Sequence, residues 1–484
     1  MRIVHRLACL YVLLLGSAIA SAQDAPASTL IFSTDGDHAR RSAGDTLNQM
    51  YTIRNIIIEG NKKTNSNIIL RELGFQIDEG YSLEELSKRF HKAQKQLMNT
   101  GLFRDVTVSL KTLSGNDAYV NISVNEKWYI WPQPFVHPVD KSFHQWWAEK
   151  NRSMDRINYG INFAHENFTG RNDKLTVNLM NGYTKQLSIQ YYGLFLDEKL
   201  KWSLSGGISM GRNREVNYMT RDDKPVTLKN SNEYLRSYTS WFGRISYRPA
   251  IKTRHSFSIG YSAESFADTI YKLNPYFSRS QGVIRYPEIS YRLNYYDVDF
   301  IPYPTKGYMA EVSLKKKGFN DPVNLWQLNL KGLGSWHMKN NYFFTLNTSG
   351  MIKLPFNQPY FTRQFLGYDN QFLQGYEYYV VDGVAGGYAK AAISRQVFST
   401  NFSFFPKKIR GMDHVPLKIY AKTFVNGGYV YNPHPGQNDL ANKLLYSAGV
   451  GLDLVTFTDF VIKIEWSFNR LGENGLYLHQ HNNF

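Results

Sequence analysis

Residues 460 to 469 alternate strictly, with Phe460, Ile462, Ile464, Trp466 and Phe468 at even positions and Lys463, Glu465, Ser467 and Asn469 at odd ones. Successive side chains of a β-strand point to opposite faces, so one face of this segment is apolar and the other polar. The pattern recurs in Trp326, Leu328 and Leu330 against Gln327, Asn329 and Lys331, and in Leu175, Val177 and Leu179 against Thr176 and Asn178. From Trp128 to Phe484 it predicts sixteen strands. Each strand with its connection takes about 22 residues, which fits strands of about 9 to 11 residues plus loops. A soluble sandwich can also alternate. So many long strands, however, need closure to leave no exposed edge, and an even count returns the chain to the side it entered from. The expected fold is mainly β: a 16-stranded antiparallel transmembrane β-barrel over residues 128–484.

The pattern ahead of the barrel is different. Ile53, Ile56, Ile57 and Ile58 predict a strand that ends at the turn Glu59, Gly60 and Asn61, and Ser66 to Leu73 predicts a short helix closed by Gly74. Ser82 stands three residues before Glu85 as a capping box. Leu86, Phe90, Ala93 and Leu97 then share one helical face, stopped by Gly101. Two alternating strands follow, Val106 to Leu110 and Tyr119 to Val124, parted by Ser114, Gly115 and Asn116. Residues 49–127 are therefore expected to form one small α+β domain.

The first 22 residues carry Arg2 and Arg6, an apolar run from Leu7 to Ala20, and small residues at Ala20, Ser21 and Ala22, the order of a cleaved signal peptide. Residues 23–48 are rich in Ala, Ser, Asp and Thr without periodicity and read as a flexible lead-in. Cys9, the only cysteine, falls in the signal segment, so no thiol or disulfide chemistry is expected of the mature chain. No later stretch reaches the roughly 18 apolar residues of a membrane helix. Mean hydropathy is −0.41 although aromatics make up 15 %. A barrel reconciles the two, because lipid-facing and lumen-facing residues cancel in any average.

Net charge is +16, of which Arg2 and Arg6 supply two, leaving +14 on the mature chain. A basic surface suits the anionic head groups of outer-membrane lipids. Nucleic acid is not an expected partner, since no finger, helix-turn-helix or RNA-binding sheet signature is present.

The isoleucine strand ending Glu59-Gly60-Asn61, the Arg71-Glu72-Leu73 helix and Gly101-Leu102-Phe103 before the next strand resemble a POTRA domain, in a single copy. The longest non-alternating stretch between barrel strands, Pro355 to Ala385, holds Gln374, Gly375 and Tyr376. It resembles the lumen-inserted sixth extracellular loop of the BamA, TamA and two-partner-secretion superfamily, whose tip reads Arg-Gly-Tyr or Arg-Gly-Phe. That arginine pairs in the family with an aspartate of the thirteenth strand in a Phe-x-Asp-x-Gly pattern, matched here by Phe424, Asn426 and Gly428. Both charged members are replaced by amides, and replacing both partners of a buried pair can be nearly neutral. The expectation is a Gln374 to Asn426 side-chain hydrogen bond. Weaker likenesses are Pro304, Thr305, Lys306 and Gly307 before a strand, and the terminal Phe484 as the aromatic end of an assembly signal.

The first barrel strand, Tyr129 to Val139, carries Pro132, Pro134 and Pro138 at positions of one parity. Amides of like parity point to the same neighbour, and proline has none. One edge is thereby stripped of donors. It is expected to face the last strand, Gly475 to Phe484, across a poorly paired closing seam.

Gly207, Ile208, Ser209, Met210 and Gly211 match G-x-S-x-G but fall in an alternating strand with no helix after them. The twelve histidines show no metal spacing, and Gly383, Gly386, Gly387 and Lys390 have no Walker spacing. No enzyme activity, cofactor or metal is expected. The resemblance implies an outer-membrane protein, with its POTRA domain in the periplasm, that assists insertion of β-barrel proteins. The alternatives are a polypeptide secretion pore of the two-partner type and a non-transporting structural barrel subunit. Implied partners are unfolded barrel or secreted polypeptide clients and accessory outer-membrane proteins.

Overall fold

The small domain forms as its pattern dictates. In the computed structural model, which describes residues 49–138, 157–368, 371–402, 415–456 and 460–479, β1 (Met50–Glu59) leads to α1 (Ser66–Arg71). The order continues with β2 (Gly80–Ser82), α2 (Leu83–Asn99), β3 (Phe103–Ser114) and β4 (Asp117–Glu126). The Ser82 hydroxyl accepts from Glu85 N at 3.2 Å, so the capping box fixes where α2 starts. Leu86, Phe90, Ala93 and Leu97 are its buried residues. They pack on a sheet of order β2-β1-β4-β3 in which β1 and β4 run parallel. The three-residue β2, paired with the start of β1, is too short to leave a periodic signal.

Sixteen antiparallel strands follow, each bonded to its neighbours in sequence. The first is Ile130–Pro138, the sixth Arg236–Ala250, the seventh Thr253–Phe266 and the eighth Val283–Val298. The eleventh is Tyr342–Leu354 and the twelfth Ala385–Phe402. The thirteenth is Val415–Tyr431, the fourteenth Leu445–Thr456, the fifteenth Phe460–Asn469 and the sixteenth Asn474–His479. Gly207 to Gly211 lie inside the fifth, Trp202–Asn213.

Alternation decides which face meets what. On the fifteenth strand Trp466 and Phe468 are about half exposed, whereas Lys463, Glu465 and Ser467 are buried. The lipid-type face is therefore outside, and the polar face is covered rather than wet. Outward Trp241, Phe257, Ile259, Val312, Val425 and Val450 extend the apolar exterior around the sheet. That apolar exterior is the one a membrane-spanning barrel presents to lipid, and the small domain sits at one mouth, the side that the resemblance assigns to the periplasm. The expected signal peptide and lead-in (1–48) and the terminal Phe484 lie outside the described residues.

Candidate functional site

Between the eleventh and twelfth strands, the described residues 355–368 and 371–384 turn into the barrel, and the part around Leu373 lies against its inner wall. Leu373 is fully buried and Tyr376 nearly so, in one apolar cluster with Phe365, Leu366, Val381 and wall residues Val430 and Leu445. Gly375 has φ +89°, and a Cβ there would stand 3.3 Å from Ser447 Cβ and 3.4 Å from those of Ser467 and Asn469. Only glycine lets the loop tip approach the wall this closely. The Gly375 carbonyl accepts from Asn469 Nδ2 at 2.7 Å, and the Tyr376 hydroxyl donates to the Tyr446 carbonyl at 3.1 Å.

The expected bond between Gln374 and Asn426 is not formed. Gln374 Nε2 donates instead to Glu465 Oε1 on the fifteenth strand at 2.7 Å, and Asn426 Nδ2 donates to Ser447 Oγ at 3.0 Å. The physical reason is charge: a buried carboxylate is a stronger acceptor than an amide oxygen. Phe424 and Gly428 keep the inward parity of Asn426. Phe424 is buried, and Gly428 leaves room for Leu373, whose Cδ2 would lie 3.7 Å from a Cβ there.

Beneath the loop lies a buried ion cluster that sequence reading did not assemble. Lys422 Nζ is 2.6 Å from Asp453 Oδ1 and 2.6 Å from Glu465 Oε1, all three side chains being almost wholly buried. Tyr303, on the periplasmic turn between the eighth and ninth strands, donates to Asp453 Oδ2 at 2.9 Å. On the sixteenth strand His479 Nε2 lies 3.2 Å from Glu377 of the loop and 3.4 Å from Glu465, and its ring stacks on Phe372 at 4.6 Å. The loop thus holds the inner face of the last described strand. The available signal was opposite charge at inward-facing positions of neighbouring strands: Lys422, Asp453 and Glu465 all have the inward parity of their strands.

The first strand runs in register with the second from Ile130 opposite His165 to Pro138 opposite Ile157. Glu166 N donates to the Tyr129 carbonyl at 2.8 Å, which turns the odd residues of the first strand toward the second. The even positions, among them Pro132, Pro134 and Pro138, point to the other edge and offer it no N–H there. The sixteenth strand pairs with the fifteenth over six residues. Among the described residues no ladder joins the sixteenth strand to the first.

The small domain is tied to the periplasmic mouth by polar contacts. Arg248 Nη2, at the foot of the sixth strand, donates to Glu72 Oε2 at 2.8 Å, and Arg71 lies 3.0 Å from Glu72 Oε1. Burial works against ionisation of Glu72, but the Arg248 and Arg71 guanidiniums outweigh it and hold the carboxyl below its ordinary range. Asn65 N donates to the Gly170 carbonyl at 2.8 Å, and Asn99 Nδ2 to the Val298 carbonyl at 3.1 Å.

Residues 51–127 match the family POTRA, described as surface antigen variable number repeat. Among solved structures the chain is similar to BamA from Haemophilus ducreyi lacking POTRA domains 1–3. The two are 15 % identical with TM-score 0.48, over 89 % of this chain and 83 % of that one. It is also similar to CdiB from Escherichia coli, at 9 % identity and TM-score 0.52, over 89 % of this chain and 75 % of that one. The CdiB likeness is one of fold. No curated protein sequence matches the chain significantly.

Proposed function

We propose that this chain, a single-POTRA member of the BamA/TamA-like outer-membrane superfamily, assists the insertion of β-barrel proteins into the outer membrane. The observation that carries the reading is the seam. One edge of the first strand lacks three amide donors, and no described ladder closes it against the sixteenth strand. An edge that is poorly satisfied by its own barrel costs little to open, and an incoming client strand can add to it. Pro132, Pro134 and Pro138 offer no N–H to the carbonyls of a sixteenth strand facing them, so a client strand with a full set of donors could bond that sixteenth-strand edge where the first strand cannot.

The rival reading, a polypeptide secretion pore, has to move residues 355–384 out of the lumen. That would break the Gln374 to Glu465 bond and expose the Lys422 cluster, a large cost for a resting channel. The filled lumen favours lateral delivery over passage. The clients are unfolded outer-membrane polypeptides. The membrane lipids are the second partner, since an opened seam exposes its edges to them, and accessory outer-membrane proteins would deliver clients.

The test is reconstitution in liposomes. The expected result is faster folding of an unfolded test barrel than in empty liposomes, with no steady ion conductance. Steady conductance without faster folding would establish the pore, and neither activity would leave a structural subunit.

A further inference from the structure

A cavity of about 690 Å³ opens at the periplasmic mouth, between α2 and the feet of the sixth to ninth barrel strands. Six cationic side chains line it: Lys92, Lys95, Arg248, Lys252, Arg254 and Lys306. Its acids, Glu72, Asp297 and Asp299, already have partners. Glu72 is held by Arg248 and Arg71, Asp297 lies 2.5 Å from Lys252 Nζ, and Asp299 Oδ1 accepts from the backbone N–H groups of Thr305 and Lys306. Among the described residues no side-chain hydrogen bond or ion pair is found for Lys92, Lys95, Arg254 or Lys306.

We infer that this vestibule is a binding site for an acidic polypeptide segment, its carboxylates seated on Lys92, Lys95, Arg254 and Lys306. Three observations favour that ligand. Glu72, a carboxylate bound by two arginines at the cavity wall, already shows the chemistry at work, since a guanidinium fork fits a carboxylate in bidentate fashion. Arg254 shares the inward parity of buried Ser256 on the seventh strand, and Arg244, bonded among the described residues only to the neutral Ser258 hydroxyl, continues the cationic wall farther into the barrel. A lipid head group tethered to acyl chains cannot follow such a track into a polar lumen, whereas an extended chain can. Lastly, four unpaired cations around one cavity raise the local concentration of a polyanion and steer it inward. The inference holds whether the chain inserts barrels or passes polypeptides, because it concerns only what the mouth binds.

The test uses the full mature chain in detergent micelles with fluorescein-labelled oligoglutamate as probe, read by fluorescence anisotropy. Expected are saturable binding that weakens with added salt, no comparable binding of oligoglutamine, and at least about tenfold weaker binding by a Lys92→Gln/Lys95→Gln/Arg254→Gln variant. Lys92→Gln/Lys95→Gln alone, which alters only the surface of α2, guards against misfolding of the barrel and should weaken binding in the same direction. Equal binding of oligoglutamine, or unchanged affinity in both variants, overturns the proposal. So does displacement of the probe by a phosphorylated oligosaccharide at lower concentration than by unlabelled oligoglutamate, which would reassign the site to saccharide phosphates.

Discussion

Tyr303 donates its hydroxyl to Asp453 Oδ2 at 2.9 Å, so a periplasmic turn reaches the same buried cluster that holds the loop entering from the opposite mouth. The connection is continuous. Asn99 of the small domain accepts from Ile301 N at 3.0 Å on that turn, Asp453 pairs with Lys422, Lys422 with Glu465, and Glu465 with Gln374 of the loop. Both mouths of the barrel are thereby fastened to its last strands, next to the seam proposed to open.

The cluster's members should differ in what their loss costs. Tyr303→Phe removes a hydrogen bond to a buried carboxylate and should destabilise the barrel by about 1.5 to 3 kcal/mol. Lys422→Met leaves two buried carboxylates without their shared cation and should cost about 3 to 5 kcal/mol. Denaturant unfolding in detergent, followed by heat-modifiable gel mobility, measures both, and the ranking should survive a change of salt because the groups are buried.

At the loop tip, Gln374→Glu would set a second carboxylate against Glu465, whereas Gln374→Arg would keep a donor there. Limited proteolysis from the extracellular side should cut within residues 355–384 faster in the first variant than in the wild type. The arginine variant should stay protected. Equal protection of the glutamate variant would show that Gln374 does not anchor the loop.

The proline edge offers a gain-of-stability variant. Pro134→Ala restores an N–H on the edge facing away from the second strand, where it can add a hydrogen bond worth about 0.5 to 1.5 kcal/mol to the closed seam. The variant should unfold at higher denaturant yet stimulate test-barrel folding less. Unchanged stimulation would separate the prolines from activity.

Docking of the small domain should depend on pH through Glu72. Its carboxyl is held below the ordinary range in the folded state, so the stabilisation is complete above the unfolded carboxylate value of about 4.3 and is lost as pH falls through the lower folded value. Hydrogen exchange of the α1 backbone should show protection at neutral pH that declines only in acid. In Glu72→Gln protection should already be reduced at neutral pH and change little on acidification.

Much of this was legible in the sequence because strand alternation is a strictly local signal. Phe460 to Asn469 reported its own inner and outer faces, and Leu86, Phe90, Ala93 and Leu97 their own buried face. Proline parity was equally readable, since a missing N–H has a direction as soon as strand register is known. The ion cluster was not, because Lys422, Asp453 and Glu465 meet only through the register of three strands. Gln374 was paired with Asn426 by resemblance, but a nearby carboxylate outcompeted the amide. The vestibule was likewise hidden, since Lys92 and Arg254 belong to different domains and meet only where α2 lies over the mouth.

The most direct test of the account is to lock the seam. Cysteine pairs placed on Ile130–Pro138 and Asn474–His479 are chemically unambiguous, since Cys9 is the chain's only cysteine and lies in the expected signal segment. A pair that cross-links in high yield is then assayed for stimulation of test-barrel folding in liposomes. The account predicts that oxidation abolishes the stimulation and that reductant restores it. Undiminished activity of the fully cross-linked protein would contradict it.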